Sequence, residues 1–345
     1  MNGNILVRLY ASLAILAVLT GTSRAVVIAT VPVGSPGNSA DSATGSLYGS
    51  VPYNYRIGTY DVTDAQYAVF LNAKASTADP YGLWNSFMNP PGFEGAISRS
   101  GSGPYSYSVK VGYANKPVLY VSWYSSIRFV NWLTNGQGNG DTENGTYTIT
   151  NGGNNSGTVV VPDATQRASW ATTNSFHWLL PSDNEWYKAA YYNAQMGTYY
   201  AYPFQSNSQP TGLVPPGNAN SGDFSHVYNA NGSSLTDVGA YPNSLSPFGS
   251  FDMGGDLYQW NEADILGDGS RRGMRGGFWS GSPNVSAASF LGSLDAAGIY
   301  DSVGFRVASV GGVPEPRSVL LALIGLSGLV IFSKRLRTCL IFRQD

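Results

Sequence analysis

Cysteine is nearly absent: of 345 residues the one thiol is Cys339, close to the C-terminus. The body of the chain therefore has no disulfide, no thiolate nucleophile and no cysteine-ligated metal. Histidine is almost as scarce. His177 and His226 stand alone, too few for a three-histidine metal site. Charged residues make up only 12% of the chain, and no basic cluster larger than Arg271-Arg272 interrupts the body. Phosphate backbones are held by clustered cations, so nucleic acid is not an expected partner. No Gly-x-Ser-x-Gly elbow is present to support Ser-His-Asp catalysis. Glutamate in the body is confined to Glu94, Glu143, Glu185 and Glu262. Glu262 with Asp264 and Asp268 is the one conceivable glycosidase arrangement, but these residues read as a polar loop with no apolar context to raise a pKa.

The two ends are best set aside before the fold is considered. Residues 1–25 have the layout of a signal peptide: Arg8, the apolar run Leu9 to Leu19, then Ser23-Arg24-Ala25. That run is shorter than the roughly 20 residues a spanning helix needs. The other end carries Val313-Pro314-Glu315-Pro316, an apolar run from Ser318 to Phe332, and then Lys334, Arg335 and Arg337. Basic residues directly after an apolar helix suit an inside-facing stop. This arrangement over 313–337 resembles the PEP-CTERM sorting signal, with 338–345 as a cytoplasmic tail. The resemblance implies export, an inner-membrane precursor held by the C-terminal helix, and a sorting protease as partner. It further implies a final place on the cell surface or in the extracellular matrix, often beside exopolysaccharide production. Without the ends, seven basic residues are lost but only two acids, and the remainder is acidic by about seven charges.

That remainder is rich in Gly and Tyr, with 42 and 23 in the chain, which suits turns and irregular loops held by aromatic side chains. Residues 26–50 read as a leader to the first strand, and 51–310 as one domain with room for a substantial core. Residues 134–176, with YTIT and VVVP between Gly/Asn-rich runs, read as a hairpin insertion with long polar loops. Thr63-Asp64-Ala65-Gln66 is a capping box that opens a helix through Ala75, with Tyr67, Phe70 and Leu71 on one face. Ser122 caps a second helix carrying Trp123, Ile127, Val130 and Leu133, stopped by Gly136. Ser182-Asp183-Asn184-Glu185 opens a third with Trp186, Ala189 and Ala190. Beyond Asn193 no further helix is expected before the tail. The class is α+β.

Six blocks occur in an order that resembles the formylglycine-generating, or sulfatase-modifying factor, family. They are IGTYDVTDAQYAVFLN (57–72), KPVLYVSWYSSIRFVNWL (116–133), LLPSDNEWYKAAYY (179–192), SPFGSFDMGGDLYQW (246–260), RGMRGGFWSG (272–281) and VGFRVAS (303–309). The resemblance implies the family's variant of the C-type-lectin-like fold. In members that make formylglycine, two cysteines just after Arg-Gly-Gly-Ser-Trp bind copper and activate oxygen. Counted from Arg275-Gly276-Gly277, those positions fall near Gly281 and Ser286, which supply no soft ligand for Cu(I). Neither copper nor iron is expected.

A second departure lies in GGDLYQW, where Asp256 and Gln259 stand for the family's Asn and Glu. Those family residues help hold a structural calcium. Asp256 and Gln259 are the candidate ligands for calcium here, with Asn220 a candidate for a second site. The resemblance implies a groove where the family holds its substrate peptide. Phe278, Trp279, Tyr258 and Arg275 are the candidate ligand-binding residues there, for polysaccharide or peptide. The expected role is a non-catalytic binding module. The alternatives are an oxygen-dependent oxidoreductase using other ligands, and a structural matrix protein.

Overall fold

A computed structural model describes residues 25–89, 94–224 and 234–312. The signal-peptide reading of residues 1–25 falls, but for Ala25, outside the described residues, as do the sorting-signal reading of 313–337, the tail 338–345, His226 and Cys339. Among the described residues no helix is long and apolar enough to cross a membrane.

The strands and helices run in the order β1 (Thr30–Val33), β2 (Tyr55–Gly58), α1 (Asp64–Lys74), β3 (Ile97–Ser100), β4 (Ser106–Val109) and α2 (Trp123–Thr134). Next come β5 (Thr148–Gly153), β6 (Ser156–Val160), α3 (Ala164–Thr173), β7 (His177–Leu179), α4 (Asp183–Tyr191), β8 (Tyr192–Asn193) and β9 (Thr198–Tyr199). The chain closes with β10 (Tyr258–Asp264), β11 (Arg271–Arg275), β12 (Gly292–Asp295), β13 (Val303–Gly304) and β14 (Ala308–Val310). One sheet has the order β1-β2-β14-β7 and is antiparallel throughout. It joins the first strands of the domain to its last. The other has the order β12-β11-β10-β13, with β13 parallel to β10.

The three helices expected from capping residues form as read. Thr63 and Gln66 make a reciprocal capping box on α1, as do Ser182 and Glu185 on α4. Ser122 accepts from the Ser125 N–H at the start of α2. Tyr67, Phe70 and Leu71 of α1 are buried with Trp123, Ile127 and Phe129 of α2 and with Trp260 of β10 in the larger core. A second core packs Trp186, Ala189 and Ala190 of α4 on Ile57 and Val310 of the first sheet. Each of these tryptophans also donates its indole N–H to a fixed acceptor, as buried indoles normally must.

Two regions differ from the sequence reading. The stretch 26–50 holds β1, which pairs with β2 through Thr30–Gly58 and Val33–Tyr55. It is therefore part of the first sheet as well as the lead into it. The region 134–176 contains the expected hairpin, β5 with β6, and also α3. That helix is capped by Asp163, which accepts from the Gln166 N–H, and it ends at Asn174 in the left-handed conformation. After Asn193 the only helical piece among the described residues is a 3₁₀ turn, Pro283–Ser286.

Candidate functional site

The residues of the expected ligand groove come together as a packed layer. Tyr258 at the start of β10 stacks with Phe278, at 5.1 Å, and with Phe290, at 6.2 Å. Its burial pushes the phenol up to about 12. Trp279 is 6% exposed and donates its indole N–H to the Asp301 carbonyl at 3.3 Å. Phe278 keeps a half-buried face. Arg275 departs furthest from the expectation, because it is fully buried on β11. Its guanidinium grips both oxygens of Asp183 on α4, at 2.6 and 3.1 Å, and donates to the carbonyls of Ala288 and Phe290. It acts as a strut between α4 and β11, with four of its five N–H donors engaged.

Gln259 also takes a role other than the expected one. Its Oε1 accepts from Trp186 Nε1 and Arg306 Nε, both at 2.6 Å, and its Nε2 donates to Asp252 O and Asp61. With its amide engaged on both sides, Gln259 cannot serve as a cation ligand. The calcium assignment for Gln259 is therefore corrected: the neutral amide serves as a junction under Arg306.

Asp256 behaves differently. It sits in the left-handed region at φ 52°, just after Gly255 at φ 81°. The loop is pinned from two sides, by Asp256 N–H to the Asp223 carbonyl at 3.0 Å and by Trp279 N–H to the Asp256 carbonyl at 2.9 Å. A Cβ on Gly255 would meet the Asp223 backbone at 2.7 Å, so only glycine allows this approach. Asp223, which carried no sequence signal in its Gly/Asn-rich loop, is thereby brought beside Asp256. The side chains are 1% and 3% exposed. Burial raises both carboxyls, and the mutual charge raises Asp256 further.

Around this pair the hydrogen-bond inventory does not close. The Thr236 N–H reaches Asp256 Oδ1 at 3.2 Å. Both oxygens of Asp223, Asp256 Oδ2, Thr236 Oγ1 and the Tyr241 hydroxyl have no hydrogen-bond partner among the described residues. Native interiors leave few such groups, since each costs about 1–3 kcal/mol. Buried hard oxygens without partners suit a cation such as calcium, which takes carboxylate, hydroxyl, carbonyl and water oxygens. Among the described residues no group of three or more His, Cys, Asp or Glu side chains is placed to hold a metal, so such a site would rely on neutral oxygens and water. Asn220 donates to the Ser208 and Gln209 carbonyls and leaves its own buried Oδ1 without a partner.

Other candidates resolve into structure. Glu262 faces inward, sharing Arg167 with Glu185 and accepting from the Tyr147 hydroxyl. Asp264 caps a turn through Gly267 and Gly269, and Asp268 holds Ser270. No paired-carboxylate hydrolase centre forms there. His177 lies flat on Trp170 at 3.8 Å.

These buried acids have a pH consequence. Arg167 serves two carboxyls, Glu185 and Glu262, and Arg306 lies close to Asp61 and Asp252. Burial pushes Asp61 up to about 8 against the opposing pull of Arg306, and Glu262 up to about 7 against Arg167. A carboxyl whose pKa is raised in the folded state contributes stability that is complete below its unfolded value near 4. That contribution is lost as pH rises through the folded value. Melting temperature in chelator is therefore expected to fall between about pH 5 and pH 8. A profile that rises across that interval would contradict these burial assignments.

Residues 38–310 match the family profile of the sulfatase-modifying factor enzyme 1-like domain. Among solved structures, Treponema denticola variable protein 1 is 21% identical, covering 83% of this chain and 96% of its own, with a TM-score of 0.50. CarF is 16% identical, covering 83% of this chain and 99% of its own, also with a TM-score of 0.50. At these identities the likeness is one of fold. No curated protein matches the chain significantly.

Proposed function

From the premise that the chain belongs to the sulfatase-modifying factor enzyme 1-like family, we infer that it is an exported, non-catalytic member. In this reading it uses the scaffold to recognise polysaccharide or peptide at the cell surface or in the matrix. The observation that carries the reading is the state of the two positions where the formylglycine-forming relatives carry thiols. Gly281 has no side chain, and a Cβ there would stand 2.8 Å from the Phe278 ring. Phe278 itself replaces the serine of the family block and is stacked on Tyr258. Ser286 is fully buried, and its hydroxyl donates to the Pro283 carbonyl at 2.7 Å. An aromatic ring beside Gly281 and a buried hydroxyl at Ser286 thus support the absence of a working thiolate pair.

Calcium belongs to this reading as a structural ion. Asp256 would hold it together with Asp223 and Thr236, and Gln259 would take no part. The apolar N-terminal run and the Pro-Glu-Pro tail support export and sorting.

The reading is tested by incubating the purified protein with copper, oxygen and a sulfatase-type cysteine peptide, followed by mass spectrometry. The peptide is expected to remain unchanged. Conversion of its cysteine to the aldehyde would overturn the non-catalytic assignment.

A further inference from the structure

Away from the aromatic layer, a cleft of about 380 Å³ opens between the 3₁₀ turn Ser42–Thr44, the segment leaving β9, and residues 287–289. Its walls are tyrosines. Tyr199 is packed on Tyr187 at 5.5 Å and Tyr192 at 4.9 Å, and its hydroxyl is fixed by Asn38 and by the Ser39 carbonyl. Tyr200 accepts from Asn193 at 2.8 Å, and Tyr202 donates to Asn284 at 3.3 Å. The hydroxyls of these two rings are thus tethered. Both rings are half-buried and have no ring stacked on them among the described residues. They are rigid, flat and partly open, the condition in which an aromatic face gives contact area at little entropic cost.

Polar groups converge on the same space. The buried Asp41 carboxylate accepts from Tyr187 at 2.6 Å and from the Ala43 N–H at 2.9 Å, and each oxygen keeps a free lone pair. Asn207 uses its carbonyl on the Ala201 N–H, and among the described residues neither its amide donor nor the exposed Ser289 hydroxyl has a hydrogen-bond partner. Among the described residues, no Lys, Arg or His lines the cleft. A phosphate or carboxylate ligand would meet only the Asp41 charge. The volume lies near the low end of the roughly 300–1,000 Å³ typical of small-molecule sites. That is enough for a ring or two of sugar.

We propose that this cleft is a carbohydrate subsite, taking a neutral pyranose against Tyr200 and Tyr202 with its hydroxyls on Asp41, Asn207 and Ser289. The proposal rests on the recognition-module reading and gives that reading a location other than the Tyr258–Phe278 layer.

The test uses the purified protein and millimolar methyl glycosides of glucose, galactose, mannose and N-acetylglucosamine, read by saturation-transfer NMR and titration. At least one glycoside is expected to bind. Tyr200→Ala or Tyr202→Ala should weaken it about ten-fold, the loss typical of one well-packed aromatic contact, with the melting temperature and the circular dichroism spectrum retained. Val111→Ala, at a fully exposed position outside the cleft lining, should leave the affinity unchanged. Binding lost in Phe278→Ala but kept in both tyrosine variants would overturn the cleft while sparing the recognition module. Binding of none of the glycosides would also overturn it, and the cysteine-peptide assay would still decide the parent reading separately. Should the cysteine peptide, and no glycoside, lose affinity in Tyr200→Ala, the cleft is a peptide site and the sugar assignment is wrong.

Discussion

Replacing Arg306 by Met is expected to destabilise the protein by about 3–5 kcal/mol, the usual result of removing one partner from a buried ion pair. Arg306 stands between β13 and β14 and is fully buried. Its guanidinium donates to the Gly58 carbonyl at the end of β2, to the Phe251 and Asp252 carbonyls, and to Gln259 Oε1 on β10. It also lies 3.2 Å from Asp61. One side chain therefore ties the two sheets to the loop that precedes Asp256. Methionine would fill the volume but would leave these acceptors and Asp61 without their cation. Because Asp61 titrates near 8, the deficit should be larger at pH 8 than at pH 5, where protonation relieves the orphaned carboxylate. Urea unfolding at both pH values reads both effects. A loss below about 1 kcal/mol would mean that the clamp is dispensable.

Calcium is expected to raise the melting temperature, and the sign of the variant effects identifies the site. An ion at a hundredfold excess over its Kd stabilises the folded state by about 2.7 kcal/mol. In a domain of this size that corresponds to roughly 2–4 °C for each kcal/mol. In chelator, Asp223 and Asp256 are two buried carboxyls, both raised by burial, and the Asp223 charge raises Asp256 further. Asp223→Asn removes that repulsion and should leave the ion-free protein as stable as the parent or more so. With calcium present the order reverses, because the variant has lost a ligand and gains nothing from the ion. A variant that is weaker under both conditions would indicate a packing role for Asp223 instead.

Much of the fold was legible because capping is local chemistry. Thr63 with Gln66, and Ser182 with Glu185, mark helix starts through side chains only three residues apart, and both boxes form. Helix α3 was not seen because its ten residues carry Trp170 and few other apolar groups, so no periodic stripe stands out from the polar insertion around it. β1 was hidden for a related reason, since four residues of edge strand carry little pattern.

The site was legible only in part. GGDLYQW names Asp256 and Gln259 as a pair of oxygen ligands, but residue type alone could not show where Gln259 would point. Two long-range donors, Trp186 and Arg306, take its carbonyl. Arg275 was misread similarly: an arginine next to aromatics suits a groove, yet Asp183, 92 residues away, draws it inward. Asp223 reaches Asp256 through backbone contacts across 33 positions, and no spacing rule announces such a pair. The tyrosine cleft gathers residues from four separate stretches for the same reason.

The most direct test of a cation site in this scaffold is isothermal calorimetry of calcium into the ion-free protein and its Asp223→Asn variant. Saturable binding heat is expected in the parent and its loss in the variant. Equal heat in both, or none in the parent, would show that the Asp223–Asp256 pair does not hold the ion.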